Sequence, residues 1–285
     1  MKYAFIKQNK LGWPVAFQCR VFSVSRSGYY RWCQLGDTQR NKSNQQLDRD
    51  IIELFEHHKG RYGSPRITKA LKDNNQCVNH KRVAKRMVAL GLRAKQAKKF
   101  KATTDSKHGL PIAENLLQQD FHANKLNEKW VGDITYIWTT QGWLYLAIFI
   151  DVFSRQVIGW SMARRINKEL VYDALLMALW RRNFPKGVIV HTDRGSQYCS
   201  KKYQQLLKDN KLICSMSGKG CCYDNALAES FFHSLKVECI YDYVFSDRAQ
   251  AKKIIFEYIE VYYNQQRLHS SIGYKTPARF EQLCA

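Results

Sequence analysis

The stretch from residue 130 to residue 162 limits the possible folds more than any other part of the chain. Three runs, Trp130–Trp138, Trp143–Ile150 and Gln156–Met162, are rich in β-branched and aromatic residues. The turn-like segments Thr-Gln-Gly and Phe-Ser-Arg separate them, which predicts three strands joined as a meander. The pattern then changes to alternation. A helix is expected at Lys168–Arg182, a strand at Val188–His191, a helix at Ser200–Asn210 and a strand at Lys211–Ser215. Helices at Asp224–Cys239 and Asp247–Tyr263 follow. A meander followed by alternating helices and strands predicts a mixed α/β sheet flanked by helices.

The front of the chain reads differently. A helix from Pro14 to Phe22, a short piece at Ser25–Trp32 and a polar linker at Gln34–Gln46 precede an amphipathic helix at Leu47–His58. Ser64-Pro65 supplies a cap and a first-turn proline for a helix ending near Asn74. Asn79 caps a third helix, His80–Leu90, which Gly91 can end. Three short helices with tight turns predict a helix-turn-helix. Its last member presents Lys81, Arg82, Lys85 and Arg86 around apolar Val83, Met87 and Leu90. That basic face suits DNA phosphates or a major groove, and an ordinary solvated helix face is the alternative. The expected division is an N-terminal helical basic segment at 1–45, a helix-turn-helix region at 46–95, a basic linker at 96–122 and a mixed α/β domain with a C-terminal helical extension at 123–285.

Charge supports that division. The chain of 285 residues carries 46 Lys and Arg against 24 acidic residues, net +22. Of these, 24 basic and 7 acidic residues lie within residues 1–110. Such an excess draws a protein to polyanions, of which nucleic acid is the commonest. The nine cysteines are odd in number and contain no CxxC pair, so neither a disulfide framework nor a zinc finger fits, and reduced thiols are expected. The first residues lack the apolar core of a signal peptide. The longest apolar run, Trp143–Ile150, is far shorter than the roughly 20 residues a membrane span needs. A soluble, intracellular protein is expected.

Three acids stand out by context. Asp133 lies mid-strand in WVGDITYI, where burying a carboxylate is costly unless it is paired or metal-bound. Asp193 follows the strand Val188–His191, the place beyond a strand end where open α/β sheets bind ligands. Glu229 lies on the helix DNALAESFFHSLKVE, sharing a face with Asn225, His233 and Lys236. Taken singly, each acid could be a buried network member, a turn residue or a surface glutamate. Together they form an all-oxygen set suited to Mg²⁺ or Mn²⁺. Phosphodiester chemistry uses such a set to hold two ions roughly 3.5–4 Å apart, one activating the attacking oxygen and one stabilising the leaving oxygen. Asp133 would bridge them, with Asp193 on one and Glu229 on the other.

Thirty-five residues separate Asp193 from Glu229, and Lys236 lies seven beyond the glutamate. That spacing, with the strings GDITYI, HTDRGSQY, DNALAESFFHSLKVE and YYNQQRLHSSIGYKTPARFE, resembles the insertion-sequence transposases of the IS-three family. The likeness is to the product of that family's second reading frame, within the DDE transposase and retroviral integrase superfamily. CRVFSVSRSGYYRW and YGSPRITKAL extend it over nearly the whole chain. The resemblance implies a ribonuclease H-like fold and Asp133, Asp193 and Glu229 as catalytic metal ligands. It also implies metal-dependent cleavage at element ends, attack of the freed 3′-hydroxyl on a second strand, and a circular DNA intermediate. Arg194, Gln197 and Lys236 carry over as neighbours of metal and DNA. The partners implied are element-end and target DNA, further copies of the chain, and the upstream-frame product or a fusion with it. The place of action implied is the bacterial cytoplasm, at the nucleoid.

The chain departs from the family in having Cys221 where asparagine is usual, and it shows no sustained heptads. It also lacks the His/Cys zinc domain of retroviral integrases. Gly218–Gly220 reads as a loop beside the active site or a plain surface turn. A transposase-derived repressor would keep the helix-turn-helix without needing three acids. A ribonuclease H-type nuclease would cut but not join.

Overall fold

The computed structural model describes residues 1–35, 39–96, 112–218 and 222–284. Most of the expected basic linker, together with Lys219, Gly220 and Cys221, lies outside the described residues. The chain divides into two compact units, Met1–Ala94 and Lys95–Ala285.

The first unit is helical throughout its described elements: α1 (Lys2–Gln8), α2 (Val15–Val21), α3 (Arg26–Leu35), α4 (Gln39–His57), α5 (Ser64–Asp73) and α6 (His80–Ala89). Ile6, Cys19 and Tyr29 form a small core among the first three. Leu47 and Ile51 of α4, Ile67 and Leu71 of α5, and Val83 and Met87 of α6 are buried where these three helices meet. Two expectations change here. The polar run read as a linker to Gln46 is helical from Gln39, stabilised by the i,i+4 bond from Gln46 to Asp50 and by bonds from Arg82 to Ser43 and Asn44. Ser64 is not the cap of α5. Gly63 holds that place, and the Ser64 hydroxyl lies 2.9 Å from His80 Nε2 instead. Asn79 does cap α6, accepting from the Lys81 amide at 2.8 Å.

The second unit is built on a five-stranded sheet: β1 (Lys129–Thr139), β2 (Gly142–Asp151), β3 (Val157–Ala163), β4 (Ile189–Thr192) and β5 (Ile213–Met216). The strand order is β3-β2-β1-β4-β5. The first three strands pair antiparallel, whereas β4 pairs parallel with both β1 and β5. Helices α7 (Lys168–Arg181) and α8 (Lys201–Asp209) supply the parallel connections. Leu170, Ala174, Ala178, Leu206 and Leu207 from these helices join Trp130, Ala147 and Phe149 from the sheet in the main core. Gly159 lets α7 approach closely, because a Cβ there would sit 2.2 Å from the Ala174 carbonyl oxygen.

Helix α9 (Ala226–Glu238) packs on β1 and β2. After α10 (Arg248–Phe256), a π-helical turn at Glu257–Tyr263 brings Asn264 to the sheet edge, where its amide both accepts from and donates to the Val157 backbone at 3.0 Å. A last helix, α11 (Pro277–Cys284), had no counterpart in the sequence reading. No described helix is long and apolar enough to cross a membrane.

Candidate active site

Register and strand alternation assemble the site. Val131 of β1 pairs with His191 of β4 in parallel, so Asp133, two residues further along β1, comes near Asp193, which lies just past the end of β4. Trp130 points into the main core, and Asp133, three residues on, points to the opposite face. On that face α9 brings Glu229 and Lys236 within electrostatic reach of it.

Asp133 accepts one bond, at 2.8 Å, from the Ile134 amide. Burial of its carboxyl raises its pKa well above the usual carboxylate range. The Asp193 charge adds to this, and the Glu229 charge contributes more than the opposing Lys236 ammonium. Asp193 accepts from the Gly195 amide at 2.9 Å, the Asx turn that ends β4. Glu229 stands at an exposed position, and partial burial of its carboxyl raises its pKa. The Lys236 ammonium lies 5.3 Å from the Tyr136 ring centre, and burial lowers its pKa.

Further residues, of which only Asn225 stood out in the sequence, brace these groups. Asn225, at the start of α9, donates to the Gly132 carbonyl at 3.2 Å and so ties the glutamate helix to the residue before Asp133. Its Oδ1 is buried without a partner among the described residues. Asp224 accepts from Asn115, Gln119 and the Gly218 amide. His191 lies between the hydroxyls of Ser215 and Ser217, and burial lowers its pKa to about 4, so the ring is neutral. Tyr198, fully buried, is also held in its neutral form by burial and by the charges of Asp193 and Asp133. The strings DNALAE and HTDRGSQY contain these residues, but their roles depend on contacts across the sheet that spacing does not report.

The remaining candidates fall in two places. Gln197 adjoins Asp193, since a methyl on Gly195 would lie 3.0 Å from both the Gln197 Oε1 and the Asp193 Oδ1. Arg194 donates through Nε to the Ser217 carbonyl. In the helical unit, Lys81 and Lys85 are exposed on α6. Arg82 reaches Ser43 and Asn44 of α4 at 2.9 Å, and Arg86 pairs with Asp48 through both its Nε, at 2.6 Å, and its Nη2. A cleft of about 470 Å³ lies between these helices, lined by Arg40, Arg82, Lys85 and Arg86.

Among the described residues, no group of three or more His, Cys, Asp or Glu side chains stands close enough together to hold a metal ion. The three acids are instead electrostatic neighbours. The repulsion of Asp133 by both other acids and the all-oxygen character of the set fit a hard divalent cation, which would relieve that repulsion.

Comparison with known proteins shows the family to which the chain belongs. The family described as "Integrase core domain" matches residues 123–222, and a second family of the same description matches 229–283. An "HTH-like domain" family matches residues 42–100. Transposase InsF for insertion sequence IS3A of Escherichia coli (strain K12) is 50% identical over 283 residues, spanning 99% of this chain and 98% of that one. The chain belongs to the IS3 family of transposases. The insertion element IS600 uncharacterized 31 kDa protein of Shigella sonnei is 44% identical, over 93% of this chain and 97% of its own. Among solved structures, a simian T-cell lymphotropic virus intasome aligns at TM-score 0.47 with 17% identity, covering 81% of this chain and 73% of that one. The HTLV-2 integrase catalytic core in complex with magnesium aligns at 0.39 with 20% identity, over 54% and 95%. As an IS3-family member with an integrase core, this protein is a DDE-type transposase acting in DNA transposition and integration. Its catalytic unit is a ribonuclease H-like mixed sheet flanked by helices, preceded by a helical, HTH-like region. The family is metal-dependent.

Proposed function

We propose that Asp133, Asp193 and Glu229 are the catalytic acids, together holding two Mg²⁺ or Mn²⁺ ions. When bound, the ions would supply Lewis-acid activation of the attacking and leaving oxygens. The residues themselves fix the geometry. Asp133 stands on β1 and Asp193 just past the end of the adjacent β4, and the third acid approaches from a helix tied to β1 through Asn225. One observation carries this reading: Asp133 is pushed upward by both of the other acids while one ammonium, Lys236, faces it.

Lys236, Arg194 and Gln197 contact DNA beside the acids. In the helical unit, Lys81, Arg82, Lys85 and Arg86 contact DNA phosphates. The division of labour follows the boundaries 1–45, 46–95, 96–122 and 123–285. Water cuts the element end, and the freed 3′-hydroxyl attacks a second strand. Two ends must meet, so copies of the chain assemble on DNA, in partnership with the upstream-frame product or as a fusion with it. The reaction takes place at the nucleoid in the cytoplasm.

The test is a strand-transfer assay with purified chain, labelled DNA carrying the element's terminal repeats, and Mg²⁺ or Mn²⁺. Joined products that disappear in Asp193→Asn support the assignment. Nicking without joining favours a bare nuclease or a missing partner, and DNA binding without either favours a repressor.

A further inference from the structure

The sheet face that is packed in the core at Trp130 and Ile134 continues along β1 past the cover of α7 and α8. There it becomes Tyr136 and Trp138, with Trp143 opposite on β2. The register pairs Trp138 with Trp143, and the rings meet edge to face at 4.8 Å, with Tyr136 against Trp143 at 5.1 Å. Such pairs stabilise a hairpin. Pairing does not hide them, because Tyr136 and Trp143 remain 42% exposed and Trp138 59%. Three large aromatics this exposed on one face mark a contact surface.

Two features identify its occupant. Lys236 links the patch to the candidate active site: Tyr136 is three residues from Asp133 on the same strand, roughly 10 Å along it and on the other face of the sheet, and the Lys236 ammonium, within electrostatic reach of Asp133, also lies 5.3 Å from the Tyr136 ring centre. Cations also border the patch, with Arg248 donating to the Trp143 carbonyl at 3.0 Å. Aromatic rings interleaved with basic side chains form the surface on which unpaired nucleotides stack while their phosphates are neutralised.

We propose that Tyr136, Trp138 and Trp143 form a stacking platform for unpaired bases of the DNA end being processed, holding the frayed strand on the sheet face opposite the acids, past Lys236. This rests on the assignment of those acids. A platform of this kind separates strands at the cleavage point without reading sequence, because every base has a π-face.

The test measures binding with EDTA present, so turnover plays no part and a failure of the catalytic assignment would not disturb it. Full-length chain is titrated against labelled terminal-repeat DNA, either fully paired or with a few unpaired nucleotides at the end. The wild type is expected to prefer the frayed end by roughly tenfold. Trp138→Ala/Trp143→Ala should lose that preference while keeping its affinity for paired DNA, and Trp138→Phe/Trp143→Phe should keep most of it. Equal affinity of the wild type for both DNAs overturns the proposal, as does a preference that survives in the alanine pair. Loss of self-association with the preference intact assigns the patch to a second copy and also overturns it. Should the alanine pair fail to fold, wild-type chain is photo-crosslinked to iodouridine in the unpaired strand. A crosslink within residues 136–143 supports the platform, and one confined to other peptides refutes it.

Discussion

The carboxyl end of the glutamate helix is fixed by a buried ion pair whose removal gives the sharpest quantitative test of the scaffold. Glu238, the last residue of α9, accepts from Arg267 through both Nε and Nη2, at 2.9 and 2.6 Å. The Tyr258 hydroxyl donates to the same carboxylate at 2.9 Å, and Arg267 also reaches Ser234 at 3.1 Å. Arg267 and Glu238 are only 4% and 6% exposed. Burial alone would lower the Arg267 pKa, but the hydrogen bonds and charge of Glu238 outweigh it and hold the guanidinium above its ordinary value. Replacing Arg267 by methionine leaves a buried, unpaired carboxylate, which costs about 3–5 kcal/mol. For a unit of this size each kcal/mol moves the melting temperature by roughly 2–4 °C, so a fall of about 6–20 °C is expected in a thermal scan. Glu238→Leu in the same molecule removes the stranded charge and should recover most of the loss, since apolar replacements of a whole buried pair are often neutral or stabilising. A single-variant loss below about 1 kcal/mol would refute the reasoning, as would a double variant no better than the single.

Four further outcomes are expected. Glu229→Gln should abolish strand transfer while leaving DNA affinity in a mobility-shift assay largely intact; lost binding would make the glutamate structural. Log affinity for duplex DNA should fall with log salt by about 0.9 per phosphate neutralised, and a flat response in a salt titration would remove the basic helical unit from DNA binding. Gly159→Ala drives a methyl into the α7 backbone, which cannot yield as a side-chain tip can, and should cost at least about 1–3 kcal/mol in urea melts. His191, lowered to about 4 in the fold, takes up its proton near pH 6.5 when unfolded, so the native state binds fewer protons between those values. Stability therefore declines as pH falls from 6.5 to 4, by up to about 3 kcal/mol, and His191→Asn should flatten that part of the pH dependence.

The three strands, α7 and the placement of Asp133 and Asp193 were legible because they depend on local signals: alternation, turn residues and a carboxylate at a strand end. The basic helix His80–Ala89 was equally legible from Asn79 and its apolar spacing. What escaped depends on distant partners. Gln39–Gln46 is helical in part because Arg82 comes back to meet it, and no property of that polar run announces this. Ser64 loses its capping role to a residue with no side chain, while its hydroxyl turns to His80. Asn264, an unremarkable polar residue in sequence, forms two strand-like bonds with Val157, some hundred positions away.

The same distinction explains how the three acids differ mechanically. Asp133 belongs to β1 and Asp193 follows directly on β4, so the backbone ladder between the two strands brings them together, two residues past its last pair. Glu229 has no such ladder. Its helix is tied at one end by Asn225 to Gly132 and at the other by Glu238 to Arg267, a residue from the far end of the chain. The third acid is therefore set by side-chain contacts, each weaker and more easily altered than a strand pair. A change in the C-terminal region can reach the chemistry by rotating or sliding α9, without touching either aspartate. Loss of activity in Arg267→Met that exceeds the unfolded fraction at the assay temperature is the expected mark of that coupling, and activity that tracks only the folded population would show the anchor to be purely structural.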